Sequence, residues 1–280
     1  MTTEAGSLLV LLGLPFMQRA LLAGLLSGAV GGLLGSVAVL RQLSFFSDAL
    51  GHSALLGLTL GVVLGLDPTL VLIPFAVLFA LVVSTLVQRS RLPADALLNI
   101  IYSSSLAVAV VVLSRFPRYA GSLQTLLFGD ILGVSSRDLL LLAVLLVVVA
   151  VVLGFNLRAQ ILLSLDEPLA RSRGVAADVQ RLLFVILLAM VVALAIKAVG
   201  VLLISAFVVI PASAARLLSR SFNSYLLLSS CLGAGGAVLG LVASAAFNLP
   251  SGPSVVIVQL LSFLTALAIS ASQRMNSSSW

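Results

Sequence analysis

The chain has 280 residues, 61% of them apolar and only 9% charged, with a mean hydropathy of +1.27 and a net charge of +6. A soluble domain carries about 25% charged residues, so a water-soluble enzyme fold is excluded. Apolar runs of about 20 residues predict an all-α, polytopic membrane bundle, read as one domain over residues 1–280. The positive charge reads as membrane topology and implies no nucleic-acid partner. One cysteine, Cys231, excludes a disulfide framework or a thiolate metal cage. Before Leu8 the only charged side chain is Glu4, which argues against a cleavable signal peptide.

In chain order, the apolar segment at 8–16 is short and interrupted by Pro15. The first clear span is predicted at about 18–40. In it Ala20, Gly24, Gly28, Gly32 and Ser36 recur every four residues. Such a ridge of small residues lets membrane helices approach closely. The second span, about 47–66, repeats the device with Ser53, Gly57, Gly61 and Gly65. Asp67-Pro68 makes a turn, and the third span follows to about Val87, ending at Arg89 and Arg91. The fourth covers about 96–113. Residues 116–138 form a long connection whose apolar centre, 125–134, is too short to cross and is expected at the interface or as a re-entrant segment. The fifth span is predicted at about 139–155.

The longest polar interruption comes next, from Ser164 to Arg181. Ser164 and Glu167 have the S-x-x-E spacing of a capping box, with Pro168 in the first turn and Gly174 beyond. This predicts one short helix at about 164–175, suited either to docking in a groove of a soluble partner or to no more than an ordinary helical loop. Residues 181–218 are long enough for two crossings, with Lys197 and Gly200 at the turn and a kink expected at Pro211. Spans at about 225–247, with small residues Gly236, Gly240 and Ser244, and 255–270 flank the turn N-L-P-S-G-P. The expected number of crossings is eight to nine.

Basic residues orient the bundle. With the polar loop inside, Arg41, Arg89, Arg91, Arg158, Arg171, Arg173, Arg181, Arg216, Arg220 and Arg274 fall on the cytoplasmic side. Arg19, Arg115, Arg118 and Arg137 fall outside. That asymmetry supports an outer N-terminus and an inner C-terminus.

Ionisable groups within a membrane are costly and are functional candidates. Asp48 and His52, the chain's one histidine, lie four apart and share a helix face. They could ligate Zn²⁺ or Mn²⁺, or be a capping Asp and a histidine satisfied by a carbonyl. Two ligands do not complete a site, whereas a twofold dimer would bring four together. Lys197 can snorkel or pair with a carboxylate. Asn99, Tyr102, Ser103, Ser104 and Ser105 could line a polar path or bond between helices. The only lysine, Lys197, follows Ile196 rather than Gly, so there is no Walker A loop. Any ATPase would be another chain.

Four blocks, taken together, resemble the permease subunit of bacterial zinc/manganese-type ABC importers. They are G-S-V-A-V-L-R-Q-L-S-F-F-S-D-A-L-G-H-S-A-L (35–55), L-F-G-D-I-L (127–132), K-A-V-G-V-L-L-I-S-A-F-V-V-I-P-A-S-A-A-R (197–216) and L-P-S-G-P-S-V (249–255). The resemblance implies a homodimer in the plasma (inner) membrane, with a path near its twofold axis. It also implies an external metal-binding protein and two cytoplasmic ATPase subunits that use ATP. No permanent cofactor is implied; the divalent metal is cargo. Asp48 and His52 map onto the family's pathway ligands. Glu167, Ala170, Arg171 and Gly174 fall in its coupling helix, with Glu167 farther from Ala170 than the E-A-A-x-x-x-G pattern has it. Lys197, Asn99 and Ser104 are further path or gate candidates.

The blocks at 197–216 resemble the zinc branch, although Ser103–Ser105 stand where zinc permeases often have a histidine. Manganese or iron is the alternative cargo. The rival readings are an autonomous carrier or channel, a permease for iron chelates or cobalamin, and a membrane scaffold without transport.

Overall fold

The structure is a computed structural model that describes residues 11–90, 92–115, 129 and 131–277. Backbone polar groups in lipid must bond within their own segment, and the described chain accordingly runs from helix to helix. The helices are α1 (Pro15–Leu40), α2 (Phe46–Leu64), α3 (Pro68–Arg89), α4 (Ala94–Leu113), α5 (Ser136–Leu165), α6 (Glu167–Ser172), α7 (Ala177–Leu218), α8 (Phe222–Phe247) and α9 (Ser251–Ser277). A 3₁₀ turn at Ile131–Gly133 precedes α5. Arg91, Arg118, Asp130 and half of the apolar centre predicted at 125–134 lie outside the described residues.

Seven of these helices, all but α2 and α6, are long and apolar enough to cross a bilayer. At 1.5 Å per residue the 42 residues of α7 would extend about 63 Å, twice the hydrocarbon thickness. The helix is broken at Gly200, where φ is 82° and ψ is 165°, a conformation reserved for glycine. The break divides α7 into two segments, each of about the length that one crossing needs, and α2 stands where the second span is predicted. The turn expected at Lys197–Gly200 is thus found, while Pro211 sits inside the second leg without a break in its helical dihedrals. The fifth span is longer than predicted: α5 starts at Ser136 and runs ten residues past Phe155, to Leu165.

Contacts between Cα atoms group the chain into two compact units. The first comprises Met1–Val39, Asp130–Val147 and Ala206–Trp280. Here the ridge on α1 meets α8. A Cβ on Gly28 would run into the Gly233 carbonyl, and one on Gly32 into that of Ser229. Ser229 Oγ donates to Gly32 O at 2.6 Å, and Ser230 Oγ to Ala29 O at 3.2 Å. The next residue, Cys231, is exposed. Gly31 and Gly35 admit Phe207 and Val208 of α7 in the same way, and Gly240 of α8 admits the Val255 backbone of α9.

The second unit comprises Leu40–Gly129 and Val148–Ser205. Its core is larger side chains: Phe46, fully buried, meets Phe79 edge-on at 5.6 Å. Of the small-residue ridge on α2, Gly57 lies beneath the Phe75 ring, while Gly65, at φ 66°, lies just past the end of the helix. Gly129, also at φ 66°, abuts the backbone of Val199 and Gly200.

Gly28→Leu should therefore destabilise the chain by about 1–3 kcal/mol or more, because the obstacle is backbone. Gly154→Ala, whose Cβ meets nothing within 4 Å, should be neutral or stabilising by up to about 1 kcal/mol. Thermal unfolding of the detergent-purified variants separates the two; equal melting would show that α1 and α8 do not depend on close approach.

Candidate functional site

Asp48 occupies the first turn of α2 and His52 the next turn on the same face. His52 Nδ1 lies 3.0 Å from the Asp48 carbonyl oxygen and 3.5 Å from Asp48 Oδ1. A carbonyl only accepts, so Nδ1 carries the proton and donates it. Nε2 then keeps its lone pair, the tautomer in which histidine binds a metal. A histidine ligand held through its other nitrogen by a carbonyl is the usual outer-shell arrangement of metal sites. Tyr102 of α4 packs edge-on against the imidazole at 5.1 Å and Phe45 against Tyr102 at 6.2 Å, restricting the ring. The His52 and Asp48 side chains remain 25% and 36% exposed, so both can be reached. Among the described residues no group of three or more His, Cys, Asp or Glu could hold a metal. Two donor groups per chain is what this site offers.

The other path candidates are less concentrated. Asn99 is exposed one turn before Tyr102 and accepts a bond from Ser103 Oγ at 3.3 Å. Ser104 is exposed too, but two positions from Tyr102 it points to another side of α4. Lys197 is exposed on α7, three residues before the Gly200 break.

The polar loop forms α6, shorter than predicted and capped differently. Its N-cap is Asp166, whose Oδ1 accepts from the Leu169 amide at 2.9 Å. Ser164 still belongs to α5, and its Oγ donates to Gln160 O at 2.7 Å, so the predicted capping box does not form. At the other end the Val175 amide bonds Ala170 O and the Gly174 amide bonds Arg171 O, both at 3.0 Å. This is the Schellman closure, with Gly174 at φ 80°. Ala170 is fully buried beneath the short helix.

Glu167 ties this helix to α7. Its Oε1 accepts from Arg171 Nη2 at 2.9 Å and from Nε at 3.2 Å, and its Oε2 pairs with Arg181 Nη2. Arg171 Nη2 also reaches both Asp178 oxygens, at 3.0 and 3.2 Å. The bond from Arg171, then the charges of Arg181 and Arg171, hold the Glu167 carboxyl below its usual range against the opposing effect of burial. Bonds donated to Glu167 and Asp178 push the Arg171 guanidinium up.

Four residues not singled out for the site by sequence reasoning complete it. Gln180 Nε2 donates to Asn156 Oδ1 at 2.8 Å, and Gln160 Nε2 to Gln180 Oε1 at 3.1 Å, so an amide chain joins α5 to α7 below the polar loop. Arg41, just after α1, lies over the Phe184 ring at 5.2 Å. A pair of glutamines and an asparagine near loop ends is the only sequence signal for the first three. Arg41 stands in the block 35–55 but is marked there only by its charge.

Known proteins resemble this chain over most of its length. The profile of the ABC 3 transport family matches residues 13–270. The manganese import system permease protein ScaB of Streptococcus gordonii is 33% identical over 92% of this chain and 93% of its own. The high-affinity zinc uptake system membrane protein ZnuB of Haemophilus influenzae is 30% identical over 89% and 95%. Among solved structures, PsaBC from Streptococcus pneumoniae in complex with Fab superposes with a TM-score of 0.81, at 30% identity, covering 94% of this chain and 95% of that one.

Two outcomes follow for α6. A carboxyl held below its ordinary value of 4.5 stabilises the fold above that value and loses the contribution as pH falls through the lowered one. Amide exchange of α6, corrected for intrinsic rates, should thus stay slow down to about pH 4.5 and accelerate below it. In Glu167→Gln it should already be fast at neutral pH, and the further rise in acid should be smaller. Gly174→Ala should cost about 1 kcal/mol in the same protection, because a Cβ strains the left-handed backbone.

Proposed function

The chain belongs to the ABC 3 transport family, a multi-pass bacterial membrane permease and not itself an enzyme, and from this premise we propose that it imports a divalent transition metal as the membrane subunit of an ATP-driven complex. The observation that carries the reading is the Asp48–His52 pair: an imidazole held through Nδ1 by a backbone carbonyl, one turn from a carboxylate. Such a pair suits zinc or manganese equally. It presents few ligands, as a conduit that must release its cargo requires.

In this reading residues 1–280 act as one permease domain, and two copies face each other so that two Asp48 and two His52 converge on the path. An external metal-binding protein delivers the ion. ATP binding closes two cytoplasmic ATPase subunits, which grip α6. Movement of α6 is passed to α7 through the Glu167–Arg181 pair, and to α5 through the short link at Asp166. The path opens outward with ATP bound and returns after hydrolysis. Asn99 and Lys197 are secondary candidates along the path, and Ser104 a weaker one on its own side of α4. The relatives named for manganese and for zinc differ too little in identity to choose between the ions.

Asp48→Ala and His52→Ala should each reduce metal uptake about tenfold or more while the assembled complex still purifies. Wild-type uptake by either variant would remove the ligand role. Uptake of radioactive zinc with manganese as competitor, and the reverse, in proteoliposomes of the whole complex identifies the cargo. Flux through the permease without its ATPase would overturn the ATP-driven reading.

A further inference from the structure

The second unit contains a cavity of about 460 Å³ whose lining does not include the Asp48–His52 pair. Its wall is built from the turn after α1 and the ends of α3, α5 and α7. The positive-inside asymmetry places all of these ends on the cytoplasmic side. Val83, Val87 and Leu163 give the wall apolar stretches, and Ser84 and Ser164 add hydroxyls. Arg41 and Arg181 are also among its lining residues.

The charges are unbalanced. Arg181 shares Glu167 with Arg171. Arg41 Nη1 and Nη2 are shielded from solvent and have no hydrogen-bond partner among the described residues; the guanidinium lies over the Phe184 ring. Burial, and then the charge of Arg181, push the Arg41 guanidinium down to about 10 against the pull of Glu167, so it stays cationic at neutral pH. A buried cation without an acceptor is expensive, and an anion with several oxygens would relieve it. Phosphate oxygens bond guanidinium groups strongly. Basic pockets between membrane helices on the cytoplasmic side suit anionic headgroups.

We propose that this cavity binds a phosphate group between Arg41 and Arg181, carried by an anionic phospholipid whose acyl chain follows the apolar wall. Because both Arg41 nitrogens are shielded, the side chain must swing off the Phe184 ring to meet it. The inference goes beyond the metal path and does not depend on it.

The full-length chain in detergent is titrated separately with phosphatidylglycerol, phosphatidylcholine and inorganic phosphate, and bound lipid is counted by native mass spectrometry. Retention of phosphatidylglycerol over phosphatidylcholine is expected, weakened about tenfold in Arg41→Gln. Ala94→Trp adds bulk to the cavity lining without removing a charge; it should weaken binding as much, and it guards against misfolding of the arginine variant. Competition by inorganic phosphate at equal concentration, lost in the same variants, would confirm the phosphate site and assign its source to solution. Equal retention of both lipids, or phosphatidylglycerol binding unchanged in both variants, would overturn the proposal.

Discussion

The Glu167 carboxylate is the contact on which the polar loop of this protein depends. One acid serves Arg171 on its own helix and Arg181 on α7, and Arg171 reaches on to Asp178. A helix of six residues has no stability of its own. α6 exists because Asp166 caps one end, Gly174 closes the other, Ala170 is buried beneath it and Glu167 anchors it sideways. The amide chain Asn156–Gln180–Gln160 then fixes the two long helices from which it hangs. Exposed ion pairs contribute little singly. Here they matter by direction, since they tie a short element to its neighbour.

The two units use different means of cohesion. Lipid tails are as apolar as leucine, so burial alone does not hold membrane helices together. In the first unit the backbone itself is the contact surface, with glycines on α1 and α8 facing carbonyls and serine hydroxyls crossing between them. In the second, aromatic side chains interlock around α2, and the polar residues are held by them: Tyr102 steadies His52, and Phe184 lies under Arg41. The polar work of the protein is concentrated in this second unit, where side chains rather than backbones meet.

Much of this was legible in the residues. Apolar length marks every span, and the four-residue recurrence from Gly24 to Gly32 names the face that α1 presents to α8. Gly174 and Gly200 both stand where the backbone leaves helical space, as glycines next to polar interruptions imply. Other features were hidden for physical reasons. Ser164 has the spacing of a cap, but α5 continues through it, and a hydroxyl inside a helix bonds back to its own turn. The cap fell to Asp166, the one residue between the two helices. The amide chain joins residues 20 and 24 apart, a pairing that local periodicity cannot express. The pairing of Asp48 with His52 was readable from their spacing, and a carbonyl partner for the imidazole was one of the two expectations; that the carbonyl is that of Asp48 itself, met through Nδ1, was not.

Cys231 carries the only sulfhydryl in the chain and is exposed. It follows directly on Ser229 and Ser230, whose hydroxyls seat α8 on α1. A nitroxide attached there needs no prior removal of native cysteines and sits on a stretch with little freedom of its own. In an assembly of two copies, the separation between two such labels would therefore follow displacement of whole helices instead of local wobble.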